Sequence, residues 1–168
     1  PLLFIHGAAG SGKSTLIHFI CEFGEYYMRK ITPGSQNKPV VLKTALTGKA
    51  ASNIDGYTLH STFSLPFNNT YETLSNEKRA KFNSDFEDLH VLIVDEVSMV
   101  KPDLLYQSHQ RLKDLTNVDM PFGNICVIIL GDLMQLKPVK ADFVFGKPKD
   151  KAHQEYQKVC PLFDQFQV

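Results

Sequence analysis

Four apolar runs punctuate the chain: Leu2–Ile5, Val40–Leu42, Val91–Val94 and Ile125–Leu130. Each is apolar at consecutive positions, as expected of strands covered on both faces. The sequence between them is helical in period or rich in turn residues. Buried strands separated by helices predict an α/β three-layer fold, a mainly parallel sheet with helices on both faces. Thr15 to Tyr27, entered from Lys13, reads as the first helix. Its residues Leu16, Ile17, Phe19, Ile20, Cys21 and Phe23 make it apolar nearly all round, which predicts a well-buried helix. Gly24 is expected to loosen it.

Thr32 to Pro39 is a turn-rich linker containing Pro33, Gly34 and Pro39. Thr47 is a candidate cap for a short helix through Ile54, ended by Asp55-Gly56. Asn68 to Asp88 is a polar excursion with one helix near Asn76–Glu87. Pro102 and Asp103 suit the first turn of another helix, with Leu104, Leu105, Leu112 and Leu115 facing inward. Lys137 to Lys158, lysine-rich and poor in pattern, reads as loop. There is no internal repeat, and 168 residues are expected to form one domain spanning 1–168.

Composition adds limits. At 43% hydrophobic and 21% charged, this is an ordinary globular composition with enough length for a sizeable core. Lys+Arg and Asp+Glu both number 18, so the overall charge points to no polyanionic partner, although a local basic groove would suffice. Cys21, Cys126 and Cys160 lie far apart without a C-x-x-C pair. Cys21 and Cys126 sit in apolar runs, and they read as buried thiols in a reducing compartment, not a disulfide framework or zinc site. No stretch has the length of a membrane span, so no membrane partner is expected.

Gly7-Ala8-Ala9-Gly10-Ser11-Gly12-Lys13-Ser14 matches G-x-x-x-x-G-K-[ST], a phosphate-binding loop, between a strand and a helix where its physics requires it. Glycines let the backbone curl so that its N–H groups converge on a polyphosphate, and the helix N-terminus adds partial positive charge. Lys13 can reach the β- and γ-phosphates, and the Ser14 hydroxyl can ligate Mg²⁺. Val91–Val94 then runs into Asp95-Glu96. Asp95 would hold Mg²⁺ through its water shell opposite Ser14, and Glu96 would orient or deprotonate the attacking water. Adjacent carboxylates at the end of an apolar strand are costly unless a cation or polar network is present. Gly131-Asp132-Leu133-Met134-Gln135-Leu136 follows another strand. Gln135 can hydrogen-bond the γ-phosphate or its water, and Asp132 can tie this loop to the Mg²⁺ shell; both also suit a solvated turn.

Four blocks stand in order: Gly7–Thr15, Thr44–Ser52, Asp95-Glu-Val-Ser-Met99 and Gly131–Leu136, with Thr58-Leu-His-Ser61 between the second and third. This order resembles superfamily 1B DNA helicases of the RecD and petite-integration-frequency (Pif) type. Thr58–Ser61, Asp95–Met99 and the Pro121-Phe-Gly123 lead-in bring it closest to the Pif side. The resemblance covers about residues 2 to 139, with a looser echo at Pro161-Leu162-Phe163. It implies a RecA-like P-loop NTPase domain that uses ATP and Mg²⁺ and partners single-stranded DNA. Lys13, Ser14 and Thr15 would be motif I ligands, Asp95 and Glu96 motif II, and Gln135 the motif III glutamine. Thr47, Gly48 and Lys49, with His60, Ser61 and Phe63, would lie along single-stranded DNA. From the residues alone, Thr47, Gly48 and Lys49 offer donors and charge, and His60 and Phe63 can pack on sugar or base. A histidine there also serves as a structural residue, and a phenylalanine as core.

Further expectations come from the family. Direction of travel would be 5′ to 3′, in settings of DNA repair, recombination and telomere maintenance. Location would be intracellular: nucleus or mitochondrion in a eukaryote, cytoplasm in a bacterium or virus. Leu136-Lys137-Pro138-Val139 departs from the family's Leu-Pro-Pro-Val, which puts the path of that loop in question. The chain opens directly on the P-loop strand and resembles the first motor domain only, so a second RecA-like domain of the same parent chain would supply an arginine finger. Two other readings stay open: a P-loop ATPase acting on protein or RNA, and a non-catalytic nucleotide-binding module. The Asp95-Glu96 pair weighs against the latter, since a dead site gains nothing from a water-activating acid.

Overall fold

The computed structural model describes residues 1–32, 34, 38–135, 138 and 142–168. Pro33 of the linker and Leu136, Lys137 and Val139 of the Leu-Lys-Pro-Val segment lie outside the described residues. Five parallel strands form one sheet: β1 (Leu2–His6), β2 (Val41–Ala45), β3 (Tyr57–Thr58), β4 (Val91–Asp95) and β5 (Cys126–Gly131), in the order β1-β5-β4-β2-β3. Four of them coincide with the apolar runs to within one or two residues at most ends. The edge strand β3, only two residues long, has no apolar run to betray it.

The double-sided strands behave as their composition requires. Leu92 and Val94 enter one core with Phe4, Leu42, Val127 and Ile129. Val91 and Ile93 enter the other with Val41, Ile128 and Leu130. Among the described residues six helices connect and cover the strands: α1 (Lys13–Ile31), α2 (Gly48–Asn53), α3 (Leu59–Phe63), α4 (Asn76–Phe86), α5 (Pro102–Thr116) and α6 (Lys151–Val159). Thr47 caps α2 as its sequence predicts, its Oγ1 accepting from Ala50 N at 3.2 Å. No helix among the described residues is long and apolar enough to cross a membrane.

Three expectations are corrected. α1 is not well buried. Ile17 is its one buried residue, whereas Phe19, Phe23, Tyr26, Tyr27 and Ile31 are exposed. A helix lying alone against a sheet can bury one stripe only, here Ile17, Ile20, Cys21 and Met28. Gly24 does not loosen the helix, which runs on to Ile31; a Cβ there would stand 2.9 Å from Val41 Cγ2, so the glycine permits close packing on the sheet. The 137–158 segment is not all loop. Asp150 caps α6 by accepting from His153 N at 2.9 Å. Its inward positions are His153 and Tyr156, not aliphatic residues, which hid the helical period.

Candidate functional site

Strand order decides what meets what. β1, β5 and β4 are consecutive neighbours, so the segments that leave their carboxyl ends converge. Those segments are the Gly7–Ser14 loop, the Asp132–Gln135 turn and Asp95-Glu96. Open α/β sheets bind ligands at this edge. Ala9, Gly10, Gly12, Lys13, Ser14, Thr15, Asp95, Glu96, Gly131, Asp132 and Gln135 line a single cavity of about 360 Å³. Among the described residues, every cofactor-binding position predicted from sequence lies in this cavity or in the loop that forms it.

The loop is built by backbone geometry. Gly7 N donates to Gly131 O at 3.1 Å, locking the loop to β5, and Ser11 N donates to Ala8 O at 3.2 Å. Gly10 and Gly12 have φ of 75° and 87°, left-handed values that favour glycine, and Gly12 sits at the N-cap of α1. With nothing within 4 Å of a Cβ placed at either, the concave side is open. Lys13 Nζ folds back on the loop, donating to Gly7 O at 2.6 Å and Ala8 O at 2.8 Å. An ammonium held by carbonyls beside an open nest of N–H groups fits a polyphosphate, which would offer it a stronger acceptor.

Asp95 is buried at 6% exposure and accepts from Glu96 N at 2.9 Å. Burial pushes its carboxyl above the ordinary carboxylate value, against the pull of the Glu96 N–H and the Lys13 charge. A carboxylate so placed suits a cation partner, and the Ser14 hydroxyl in the same cavity supplies a second oxygen of the type Mg²⁺ takes. Glu96 has φ 53° and ψ 44°, a left-handed conformation that costs a non-glycine residue free energy. A short 3₁₀ turn, Val97–Met99, follows directly, with Met99 N donating to Glu96 O at 3.1 Å. The strained residue is thus held from both sides. Asp132 lines the same cavity and also braces its own turn. Its Oδ1 accepts from Met134 N at 3.0 Å and lies 3.4 Å from His6 Nε2, so it shapes its own turn and ties it to β1. Gln135 N donates to Asp132 O at 3.0 Å, which brings Gln135 to the cavity.

The residues assigned to DNA divide. Thr47 is half-buried at the carboxyl end of β2, and Gly48 and Lys49 beyond it are exposed. His60 is half-buried, and Ser61 is exposed on a separate groove with Tyr57, Lys78 and Lys81. Phe63 is a correction: it is fully buried against Phe82 and Phe86, a core residue out of reach of any strand of DNA. The α3 turn points Leu59 and Phe63, four residues apart, into the core together.

The model of PIF1-like helicases matches residues 1–149. The chain belongs to the PIF1-like helicase family. It is 38% identical over 140 residues to the ATP-dependent DNA helicase PIF1 of Candida albicans, covering 82% of this chain and 14% of that protein. It is similar to the crystal structure of Pif1 helicase from Candida albicans, with a TM-score of 0.70 and 32% identity over 99% of this chain and 35% of that one. It is similar also to Pif1 helicase from Bacteroides in complex with ADP-AlF3 and ssDNA, with a TM-score of 0.62 and 32% identity over 94% and 32% of the two chains. The chain thus spans well under half the length of these relatives.

Sequence reasoning missed two clusters of this PIF1-like chain. Arg111, 1% exposed, donates from Nε to Phe63 O at 2.9 Å, from Nη1 to Tyr71 Oη at 2.9 Å and from Nη2 to Glu72 O at 3.0 Å. It pins the segment that follows α3 onto α5, and nothing in the sequence near Arg111 signals partners some forty residues away. Asp103 accepts from Lys149 N at 2.9 Å and Asp150 N at 3.1 Å, and pairs with His153 Nδ1 at 3.2 Å. Burial alone would raise its carboxyl; the His153 ring and the two amides outweigh it and hold the group below the ordinary value. The sequence signal, an acid in the first turn of a helix, was present but pointed to the helix dipole.

Proposed function

We propose that this chain is the first motor domain of an ATP-dependent 5′-to-3′ DNA helicase, binding and hydrolysing Mg²⁺-ATP and gripping single-stranded DNA. One observation carries it: Lys13, Ser14, Asp95, Glu96 and Gln135, drawn from three separate segments, line one cavity at the carboxyl edge of the sheet. Membership of the family supports it, as do the ADP-AlF3 and ssDNA in the complex of the Bacteroides relative. When bound, Mg²⁺-ATP supplies the phosphoanhydride whose cleavage drives the motor. The chain's own residues set the stage for that cleavage. The N–H groups of the loop residues that line the cavity and the Lys13 ammonium bind and neutralise phosphate oxygens. Ser14 and Asp95 hold the cation. Glu96, fixed in its strained conformation, orients a water and accepts its proton. Gln135 senses the terminal phosphate from the turn that Asp132 shapes. Thr47, Gly48, Lys49, His60 and Ser61 follow β2 and β3 at the same edge of the sheet and take single-stranded DNA. A second RecA-like domain of the parent protein completes the site.

The test is ATP turnover, with and without single-stranded DNA, in the longest protein that contains this chain, beside its Glu96→Gln variant. The expected result is DNA-stimulated turnover that the variant loses by about 10²- to 10⁴-fold, the usual worth of a positioned base. Turnover indifferent to DNA would replace the helicase reading with that of a P-loop ATPase for another partner. A Glu96→Gln protein as fast as wild type would remove Glu96 from the chemistry.

A further inference from the structure

We propose that Phe67, stacked on His60 beside Lys101, is a platform on which one nucleobase of single-stranded DNA stacks. The inference rests on the reading that this face of the chain grips DNA, and it replaces Phe63 with a residue that DNA can reach. Phe67 is 83% exposed. Its ring lies over the His60 imidazole with centroids 4.6 Å apart and planes 15° from parallel. One face of Phe67 is therefore occupied, and the outer face is presented to solvent as a flat π surface. Burial, and then the nearby Lys101 charge, lower the His60 pKa, so that the imidazole is neutral at pH 7 and backs the ring as a second aromatic plate.

The platform is held as a site, not left as a loose loop tip. Gln107 Nε2 donates to the carbonyls of Asn68 at 3.0 Å and Thr70 at 3.1 Å, directly after Phe67. Arg111 Nη2 holds Ser64 O at 3.5 Å and Glu72 O at 3.0 Å, on either side of it. Thr70 N donates to Asn68 Oδ1 at 3.0 Å, closing the turn. A buried guanidinium and a buried amide are thus spent on fixing a segment whose most exposed member is an aromatic ring. Side chains such as these freeze the ring before any partner arrives, which lowers the ordering cost of binding.

The surroundings choose the occupant. His60 stands just beyond Thr58, and Thr58 is in register with Ala45, which in turn is in register with Asp95. The platform therefore follows β3 at the same sheet edge that carries Thr47 and Lys49 after β2 and, beyond them, the nucleotide cavity after β4, β5 and β1. Lys101 Nζ donates to Asn69 Oδ1, two residues after Phe67, at 3.4 Å, and its charge reaches the His60 imidazole. A flat π face with an adjacent cation is the chemistry of base stacking plus phosphate neutralisation. Lys101 also ends the short segment that begins at Asp95-Glu96, so the cation of this site and the catalytic carboxylates share one stretch of backbone.

Binding is read by fluorescence anisotropy in the longest protein containing this chain, using an oligo-dT strand and a strand of equal length with abasic sugars. Phe67→Ala is expected to weaken oligo-dT binding by about tenfold, the scale of one base–aromatic stack, and to leave the abasic strand unchanged. Phe67→Trp restores the difference between the strands, which a general loss of structure would not. Lys101→Ala weakens both strands alike. Phe67→Ala binding oligo-dT as tightly as wild type overturns the platform while the DNA-gripping reading stands. Wild type that binds neither strand overturns both. Equal affinity of wild type for the two strands also overturns the platform, and assigns the exposed ring to a protein contact.

Discussion

Helices α1 and α5 invert what their compositions suggest. α1 carries phenylalanines, tyrosines and isoleucines all round, yet one residue of nineteen is buried. α5 carries Asp103, Gln107, Ser108, His109 and Arg111, yet ten of its fifteen residues are buried. The difference lies in the neighbours. α5 is enclosed by the sheet, α3, α4, α6, the 64–72 segment and the Pro121–Asn124 turn, and each of these polar side chains reaches a partner supplied by one of them, by the Lys149-Asp150 lead into α6 or by its own helix. α1 meets the sheet alone. Apolar content states what a helix can bury; the number of elements that surround it decides what it does bury. A polar helix becomes a core element when its hydrogen bonds are satisfied, and each bond then carries positional information that aliphatic packing lacks.

The comparison breaks most sharply at Arg111. Arg111→Ala removes the donors to the carbonyls of Phe63 and Glu72 and to the Tyr71 hydroxyl, and leaves Asp114 with Tyr71 as its hydrogen-bonded neighbour. Loss of about 3–5 kcal/mol is expected, as for other broken buried ionic networks. Urea unfolding measures it. A loss below about 1 kcal/mol would mean that water already reaches the guanidinium, and α5 would be no more a core helix than α1.

His109 sharpens the same point through pH. Its Nδ1 accepts from Phe122 N at 2.9 Å, and its buried Nε2 has no hydrogen-bond partner among the described residues. Burial, reinforced by the charges of Lys113 and His153 and opposed by Asp119, pushes its pKa down to about 3. The unfolded chain takes up this proton near the ordinary value of about 6.5, whereas the folded chain holds it off until about 3. Stability is therefore lost as pH falls through that window, approaching about 1.4 kcal/mol for each pH unit. His109→Asn keeps an acceptor for Phe122 N and removes the titration, so its stability should be flatter than wild type between pH 6 and 4.5. Parallel curves would show that the ring is not desolvated in the native state.

The candidate nucleotide cavity was legible and the face proposed to take DNA largely was not, for a physical reason. Gly7–Ser14 and Asp95-Glu96 act through contiguous backbone, so each motif is written in adjacent letters. Strand order then follows from burying double-sided strands, and it brings the motifs together. The Phe67 loop is held by Gln107 and Arg111, roughly forty residues distant, and no local pattern records such a pairing. Phe63 misled because its spacing from Thr58–Ser61 fits either role, and only the packing of Phe82 and Phe86 decides for the core. α6 was missed because His153 and Tyr156 occupy the places where aliphatic residues would have shown a period. The exposure of α1 was illegible in principle, since a sequence records how apolar a face is and not whether anything stands opposite.

Gly24 lies on the stripe of α1 that does meet the sheet. Helix propensity alone predicts that Gly24→Ala stabilises by about 1 kcal/mol. The new Cβ would stand 2.9 Å from Val41 Cγ2, too close for the short valine side chain to yield freely. Overpacking of about 1–3 kcal/mol should exceed the gain, so a net loss near 1 kcal/mol is expected. A stabilised Gly24→Ala would show that α1 rides loosely even on its buried stripe.

Phe19 asks the question at the rim of that stripe. It is 64% exposed on a shallow apolar groove with Phe23, Cys126 and Ile128. Serine has nearly the helix propensity of phenylalanine, so Phe19→Ser changes little within the helix itself. The expected change in the urea midpoint corresponds to less than about 0.5 kcal/mol, the range for exposed sites. The same exchange at Phe63 would remove a fully buried ring and cost about 3–5 kcal/mol. Two phenylalanines on helices of one chain would then differ severalfold in worth, although nothing in their immediate sequence distinguishes them. A cost above about 1 kcal/mol at Phe19 would collapse that contrast, and would mean that the groove closes around the ring in solution.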